Sequence, residues 1–168
     1  MSTYKISGDH TAENKGNGTA ESPYILSKGN GFADIQTINL GNCYAELTKF
    51  IEHGNITKVE GGKITNTNGY DMFNGCTSLT TFTSDLSNLD RGRYMFQNCT
   101  SLTTFSSDLS SLTNSESMFR GCTTLQSVKI KCSTENKDMM TKAKLYIRSE
   151  AVLEVSTDNG ATWETINE

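Results

Sequence analysis

Apolar residues return at a fixed interval through the middle of the chain. The pattern M-F-x-x-C-x-x-L-x-x-F occupies residues 72–82, recurs 23 residues later at 95–105, and recurs again at 118–128 with Val in its last position. Between these copies, S-D-L-S-x-L at 84–89 is repeated at 107–112. A fixed period of about 20 to 50 residues is typical of solenoids, whose units bury their apolar faces only against their neighbours. The interval therefore predicts stacked coils that share one interior.

A fourth, more divergent copy precedes these three. In the same register, residues 50–59 read F-x-x-H-x-x-I-x-x-V, with Lys49 in the Met position. The Thr-rich stretch from Leu79 to Ser84 has the composition of a short strand. Equivalent stretches in successive coils would lie about 4.8 Å apart in a parallel sheet. We therefore predict about four coils of 23 residues over residues 49–131.

The segment before the repeats has the pattern of a short helix. Asn42 suits the N-cap position, Leu47 and Phe50 would share one face, and Gly54 follows the expected end. We therefore assign residues 1–48 to an N-terminal segment whose helix, running on to Gly54, caps the first coil.

The segment after the repeats has the pattern of β-structure. Residues 145–148 predict one strand. Two further apolar stretches, 152–155 and 163–166, flank the D-N-G turn signal at 158–160, which is a combination typical of β-hairpins. We therefore predict a β-rich cap, built on a hairpin, over residues 132–168.

The repeated residues resemble the BspA-like, Treponema-type leucine-rich repeat of bacterial and phage surface proteins. The resemblance lies in C-x-x-L-x-x-[F/I] and F-x-x-C over about residues 49–131, with Met-Phe where many members have Ala-Phe. The chain departs from the family at 84–85 and 107–108, where Ser-Asp replaces an apolar residue and the Pro that often follows the strand. The resemblance implies a right-handed leucine-rich-repeat solenoid. Together with the two ends, we expect about four repeats between an N-terminal helical cap and a β-rich C-terminal cap.

The charge and the hydropathy of the chain argue against two classes of partner. Fifteen Lys and Arg against nineteen Asp and Glu give a net charge of −4, and no dense basic tract is present, which argues against nucleic-acid binding. No apolar run approaches the roughly 20 residues that cross a bilayer, so we expect no membrane insertion. The opening M-S-T-Y-K-I-S lacks the apolar core of a signal peptide, so we expect synthesis in the cytoplasm without one.

The cysteines follow the repeat. Cys76, Cys99 and Cys122 occupy one repeat position, which predicts a column of buried thiols. Disulfide-linked or metal-bound pairs are the alternative, although C-x-x-C is absent and spacings of 23 residues are not those of zinc sites. Reduced thiols would suit a chain that folds in a reducing compartment. We predict no metal site and no cofactor.

The sequence offers no catalytic arrangement. The two histidines, His10 and His53, do not belong to a pattern of nucleophile and base, and we interpret His53 as a residue of the first coil. Asp85 and Asp108 recur at one repeat position, which favours turns closed by carboxylate hydrogen bonds over acid–base catalysis. We therefore predict no catalytic residue and a protein that is not an enzyme.

The outward side chains of the predicted sheet are the remaining candidates for function. Residues beside the buried position of each strand would point outward. One interpretation is that these hydroxyl and charged groups bind a glycan or a protein. The other is that they are only solvated, since we expect no aromatic anchor on that face. The candidate binding residues are Lys58, Glu60, Thr81, Thr83, Thr104, Ser106, Ser127 and Lys129.

These observations favour a non-enzymatic structural or binding protein. The repeats resemble those of exported surface proteins, whereas the sequence shows no signal peptide, and virion proteins combine cytoplasmic synthesis with action outside the cell. We therefore expect a bacteriophage virion component, such as a fibre, a capsid decoration or a tail-attached protein. It would act on the virion or an extracellular surface, with copies of itself, a larger assembly or a host glycan or protein as partner. The alternative is a secreted bacterial adhesin or another module that binds a glycan or a protein.

Overall fold

The computed structural model describes residues 5–7, 24–26, 37–39, 44–47 and 56–167. Within them, short strands follow one another in chain order, with little helix. The strands are β1 (Lys5–Ser7), β2 (Tyr24–Leu26), β3 (Thr37–Asn39), β4 (Tyr44–Leu47), β5 (Lys58–Glu60), β6 (Lys63–Ile64), β7 (Thr81–Phe82), β8 (Thr104–Asp108), β9 (Ser127–Lys131), β10 (Val152–Ser156) and β11 (Glu164–Ile166). A 3-10 turn (Lys137–Met139) and helix α1 (Lys142–Leu145) lie between β9 and β10.

The main sheet has eight strands in the order β1-β3-β5-β7-β8-β9-β10-β11. The strands from β3 to β10 are parallel, whereas β1 and β11 pair antiparallel at the two ends. A second sheet of three parallel strands has the order β2-β4-β6. Val59, Phe82, Phe105 and Val128 are successive register partners in the main sheet. The predicted stacking of coils at 23-residue intervals is therefore confirmed.

The interior consists of columns of equivalent side chains. Phe73, Phe96 and Phe119 stack face to face, with ring centroids 5.2 and 5.6 Å apart. Phe82 and Phe105 form a neighbouring column, and their rings meet that of Phe96 edge-on at 4.9 and 5.2 Å. Such edge contacts are favourable for aromatic pairs beyond the burial of apolar area. The fully buried leucines of the core include Leu79, Leu86, Leu89, Leu102, Leu109, Leu112 and Leu125.

The prediction of a helix from Asn42 to Gly54 is wrong for residues 44–47, the part of this segment that the structure describes. Tyr44–Leu47 is strand β4, which lies between β2 and β6 in the second sheet. Its pairing with residues 63–64 supplies ladder hydrogen bonds that outweigh a local helical pattern, since propensity is a weak prior against tertiary contacts. The rest of the predicted helix, with Phe50 and His53, lies outside the described residues.

The predicted C-terminal hairpin is confirmed and joins the main sheet. β10 and β11 pair antiparallel, with Leu153 opposite Ile166. β10 also pairs parallel with β9 along its whole length, with Leu153 opposite Val128. The buried row, which includes Ile38 of β3 and Val59 of β5, therefore continues beyond the repeats into the hairpin.

The strand expected at residues 145–148 is wrong. The chain forms α1 instead, which the Thr141 hydroxyl caps by accepting from the Lys144 amide, and the left-handed Tyr146 ends the helix. Leu145 and Ile147 are both buried. Burial therefore alternates here as it would along a strand, although the backbone forms a helical turn that ends at Tyr146. In the part of the chain that the structure describes, none of the helices has both the length and the hydropathy of a membrane span.

Candidate functional site

The outer face of the main sheet carries the residues predicted as a binding surface. Burial alternates along each strand, so that the side chains next to the buried row are partly or fully exposed. The eight residues form two rows across the strands, Lys58, Thr81, Thr104 and Ser127 in one, and Glu60, Thr83, Ser106 and Lys129 in the other. The structure thus brings them together on one face, and their role in binding stays a prediction.

A third row of polar side chains runs beside these two. Asp108 pairs with Lys131 across β8 and β9, and Asp85 stands at the equivalent position one coil earlier. Oδ1 of Asp85 accepts from the Ser87 amide at 2.7 Å, and Oδ1 of Asp108 accepts from the Ser110 amide at 2.9 Å. Both carboxylates therefore close turns, as the sequence predicts. In the part of the chain that the structure describes, neither takes part in an ion pair.

An aromatic side chain from the hairpin stands against this face. The ring centroid of Trp163 lies 4.7 Å from Nζ of Lys129. Trp163 also lines a cavity of about 310 Å³ over the second and third rows, which we call the Trp163 trough. The expectation that no aromatic residue accompanies the face is therefore wrong. The side chains lining the trough include those of Thr83, Asp85, Ser106, Asp108, Lys131 and Trp163.

The loop before Trp163 is held by a dense set of hydrogen bonds. The Asp158 carboxylate accepts from the hydroxyl and the amide of Thr162 at 2.6 and 2.8 Å, and from the Ser156 hydroxyl at 2.7 Å. These bonds, those of Thr162 first, lower the pKa of Asp158 to about 2. Nζ of Lys131 donates to Oδ1 of Asn159, which ties the loop to the third row. The position of Trp163 is thus set by its own loop.

The repeated cysteines form the predicted buried column. The thiols of Cys99 and Cys122 donate to the carbonyl oxygens of Phe73 and Phe96, each at 3.0 Å. Interaction with the Cys99 thiol, together with burial, raises the pKa of Cys122. The thiolate, and not the thiol, is the nucleophile and the metal ligand. Because the pKa values of Cys99 and Cys122 are raised, both side chains stay protonated and act as packing residues.

The other cavities and side-chain clusters of the described residues are weaker candidates for a binding or metal site. A cavity of about 540 Å³ lies between residues 113–116 and α1, beside the exposed ring of Tyr146. Its lining is mostly short or flexible side chains, without convergent charged groups other than Glu116 and Lys144. Among the residues that the structure describes, no three His, Cys, Asp or Glu side chains are placed to hold a metal ion.

The repeat architecture agrees with a comparison against known families. The model of the BspA type leucine rich repeat region, with six copies, matches residues 34–145. The chain belongs to the BspA-type leucine-rich repeat family. No curated protein and no solved structure matches the chain.

Membership of the BspA-type family supports a function in binding. Leucine-rich repeat solenoids generally serve as scaffolds that bind proteins, and BspA-type repeats are usually associated with surfaces. The polar outer face of this BspA-type solenoid fits such a role, because repeat proteins present extended surfaces of equivalent positions. The protein is therefore a repeat protein of the binding or surface class.

The sequence does not predict that Trp163 lies beside this face, because the repeat pattern ends before the hairpin. The outward strand positions of the repeats, residues 81, 83, 104, 106, 127 and 129, carry no aromatic side chain. Trp163 reaches the face only because β10 adds to β9 in parallel and the hairpin folds beside the third row. The sequence signal for this pairing is the alternation of Val128 and Ile130, which recurs at Leu153 and Val155.

Proposed function

We propose that the protein is a non-enzymatic attachment module of a bacteriophage virion, as a fibre, a capsid decoration or a tail-attached protein. The observation that carries this proposal is the outer face, on which the repeat sets polar side chains in rows above a mainly apolar core. Most of these outward side chains are short Ser and Thr, which suits attachment, because short side chains lose little conformational freedom when a partner binds.

The buried thiols support folding in a reducing compartment. Cys99 and Cys122 are fully or almost fully buried, and each donates to a carbonyl group of the preceding coil. Disulfides are rare in reducing compartments, so these free thiols fit a chain that folds in one. A virion protein meets that condition, since it is made and folded in the host cytosol and acts outside after lysis.

The end of the main sheet supports assembly with a partner chain. β11 is the last strand in the sheet order, and Glu164 and Thr165 are exposed. An edge strand presents backbone groups that pair readily with another strand. We propose that copies of the chain, or a strand of a larger assembly, use this edge.

Two measurements on the same preparation test the virion role. Light scattering after size-exclusion chromatography should find an oligomer, and peptide mass spectrometry should find the chain in purified particles from the source. A monodisperse monomer that is never found in particles would contradict the proposal.

The second candidate is a secreted adhesin or another module that binds a glycan or a protein on a cell surface. The observation in its favour is Trp163 beside the polar rows, because aromatic side chains anchor surface partners. The fractions of the source separate the candidates. Recovery of the chain in the cell envelope or the medium of uninfected bacteria supports the adhesin, and recovery only in particles supports the virion role.

A further inference from the structure

The Trp163 trough crosses the coils in a fixed order. Gly62 stands at one end, where the Asp85 amide donates to its carbonyl oxygen. Asp85, Asp108 and Lys131 follow from one coil to the next, and Trp163 closes the other end. Because strands in a parallel sheet lie about 4.8 Å apart, the trough offers one polar position for each step of that length.

The polar groups of the trough are suited to ligands that carry hydroxyl groups. The turns use Oδ1 of Asp85 and Oδ1 of Asp108, which leaves Oδ2 of each as an acceptor. Hydrogen bonds from hydroxyl groups to carboxylates are shorter and stronger than those between neutral groups. Thr83 and Ser106 add hydroxyls that both donate and accept.

The end wall supplies an apolar surface of fixed position. Trp163 is held by the Asp158 loop, and Lys129 lies over its ring. An aromatic wall packs against the C–H face of a pyranose ring, while the ring's hydroxyls reach the polar groups beside it. This pairing of an aromatic wall with fixed acceptors is what a saccharide needs from a site.

The charge of the trough and its place on the sheet exclude further classes of ligand. Two carboxylates and the ammonium group of Lys131 line the trough. The second ammonium group nearby, that of Lys129 over the Trp163 ring, is paired with Glu154 at 3.3 Å. The negative charges therefore outnumber the positive ones, so an acidic sugar or a phosphate is repelled. The trough lies on the face of the sheet, where an extended peptide cannot pair as an added strand. Its volume of about 310 Å³ is at the lower end of the range for small-ligand sites.

We propose that the Trp163 trough binds neutral hexopyranose units of a surface glycan. This inference rests on the proposed function, in which the outer face attaches to a surface, and it names the chemistry of the partner. The ring of one sugar lies against Trp163, and hydroxyls of that sugar and the next donate to Asp108 and Asp85.

Titration of the whole chain with defined oligosaccharides tests the proposal. The probes are cellohexaose, mannohexaose and laminarihexaose as neutral chains, and hexagalacturonate as an acidic chain. Trp163 is the single tryptophan, so its fluorescence reports occupancy, and calorimetry gives the affinity. We expect at least one neutral chain to bind with a change in Trp163 emission, and hexagalacturonate to bind at least about tenfold more weakly.

Variants assign the binding to the trough. Asp85→Asn with Asp108→Asn keeps the turn acceptors and removes the charges, and should weaken binding about tenfold. Trp163→Phe keeps a smaller aromatic ring at the end of the trough, whereas Trp163→Ala removes the ring. Trp163→Phe should therefore weaken binding less than Trp163→Ala. Tyr146→Ala and Asp138→Asn are matched controls for an exposed aromatic and an exposed carboxylate away from the trough, and should leave the affinity unchanged.

The outcomes separate this inference from the proposed function. Absence of neutral-chain binding, tighter binding of hexagalacturonate, or insensitivity to the trough variants would overturn the inference. If the trough variants still attach to particles or cell surfaces like the wild type, the trough is not the glycan site while the attachment role stands. If the wild type binds oligosaccharides but is absent from particles and envelopes, the proposed function fails and the trough assignment stands.

Discussion

The backbone amide of Phe119 donates a hydrogen bond of 3.0 Å to the carbonyl oxygen of Leu145. The equivalent amides in the two preceding coils, those of Phe73 and Phe96, donate to Met95 and Met118 of the next coil at 2.8 and 3.0 Å. Helix α1 therefore takes the place of a further coil at this position. The last coil is closed by a turn of helix that satisfies the same backbone group.

Removal of the α1 contacts should destabilise the last coil. Leu145 is fully buried, so Leu145→Ala should lower the free energy of unfolding by about 2 to 5 kcal/mol. Thr141→Ala, which removes the cap of α1, should cost about 1 kcal/mol. The exposed Ala143→Ser is the control and should change stability by less than about 0.5 kcal/mol. Urea unfolding measures all three, and equal effects for Leu145→Ala and Ala143→Ser would contradict this role for α1.

The double column of phenylalanine rings should dominate the stability of the repeats. Phe96 contacts the rings of four other phenylalanines and is fully buried. Phe96→Ala should therefore cost about 3 to 5 kcal/mol in the free energy of unfolding. Tyr146→Ala removes a ring that is 53% exposed and should cost less than about 0.5 kcal/mol. A loss below about 1 kcal/mol for Phe96→Ala would show that the column is not packed as described.

Two equivalent glycines allow a test of the contact between coils. Gly75 and Gly121 occupy one repeat position at φ +76° and +80°, where an alanine is strained by about 1 to 3 kcal/mol. A Cβ at Gly121 would lie 2.5 Å from Oδ1 of Asn98, whereas a Cβ at Gly75 would meet no atom within 4 Å. Both alanine variants should lose stability, and Gly121→Ala should lose more.

A double-mutant cycle isolates the collision at Gly121. Combining Gly121→Ala with Asn98→Gly removes the obstructing side chain, so the cost of the alanine should fall toward that at Gly75. Thermal unfolding measured by circular dichroism gives the four stabilities. An unchanged cost in the double variant would mean that the backbone, and not the Asn98 side chain, sets the penalty.

The hairpin loop should depend on pH through Asp158. Its pKa in the folded chain is about 2, against an ordinary value of 3.8. Because the folded pKa is the lower one, the carboxylate contributes stability above about pH 4, and this contribution is lost as the pH falls toward about 2. Trp163 emission should therefore shift over that window before the repeats unfold. Asp158→Asn should remove the shift, and an identical acid profile in the variant would contradict this linkage.

The repeat register and its interior could be predicted from the sequence. The interval of 23 residues fixes which side chains stack, because a coil buries its apolar positions only against equivalent positions in its neighbours. The register of Val59, Phe82, Phe105 and Val128 follows directly. Alternation along a strand then separates the buried row from the outward rows, so the polar face was predictable as well.

The two ends could not be predicted from the same pattern. Residues 44–47 have helical spacing of apolar positions, yet their backbone pairs with residues 63–64 in the second sheet. Residues 145–148 alternate like a strand, yet the Thr141 cap closes a helical turn. At the first end a strand pairing distant in sequence outweighs the local pattern, and at the second end a local side-chain cap does. Trp163 was missed because its place depends on the pairing of β10 with β9.

Attachment by a chain with a blocked outer face shows whether that face makes the contact with the surface. Ser106→Arg places a long charged side chain in the middle of that face, and Thr77→Arg places the same side chain in the exposed turn before β7. Binding of fluorescently labelled protein to the surface from which the wild type is recovered should be lost by at least about tenfold for Ser106→Arg, because the face is the proposed contact. Thr77→Arg should bind like the wild type. If circular dichroism shows that both variants are folded and they bind equally, the outer face does not make the contact.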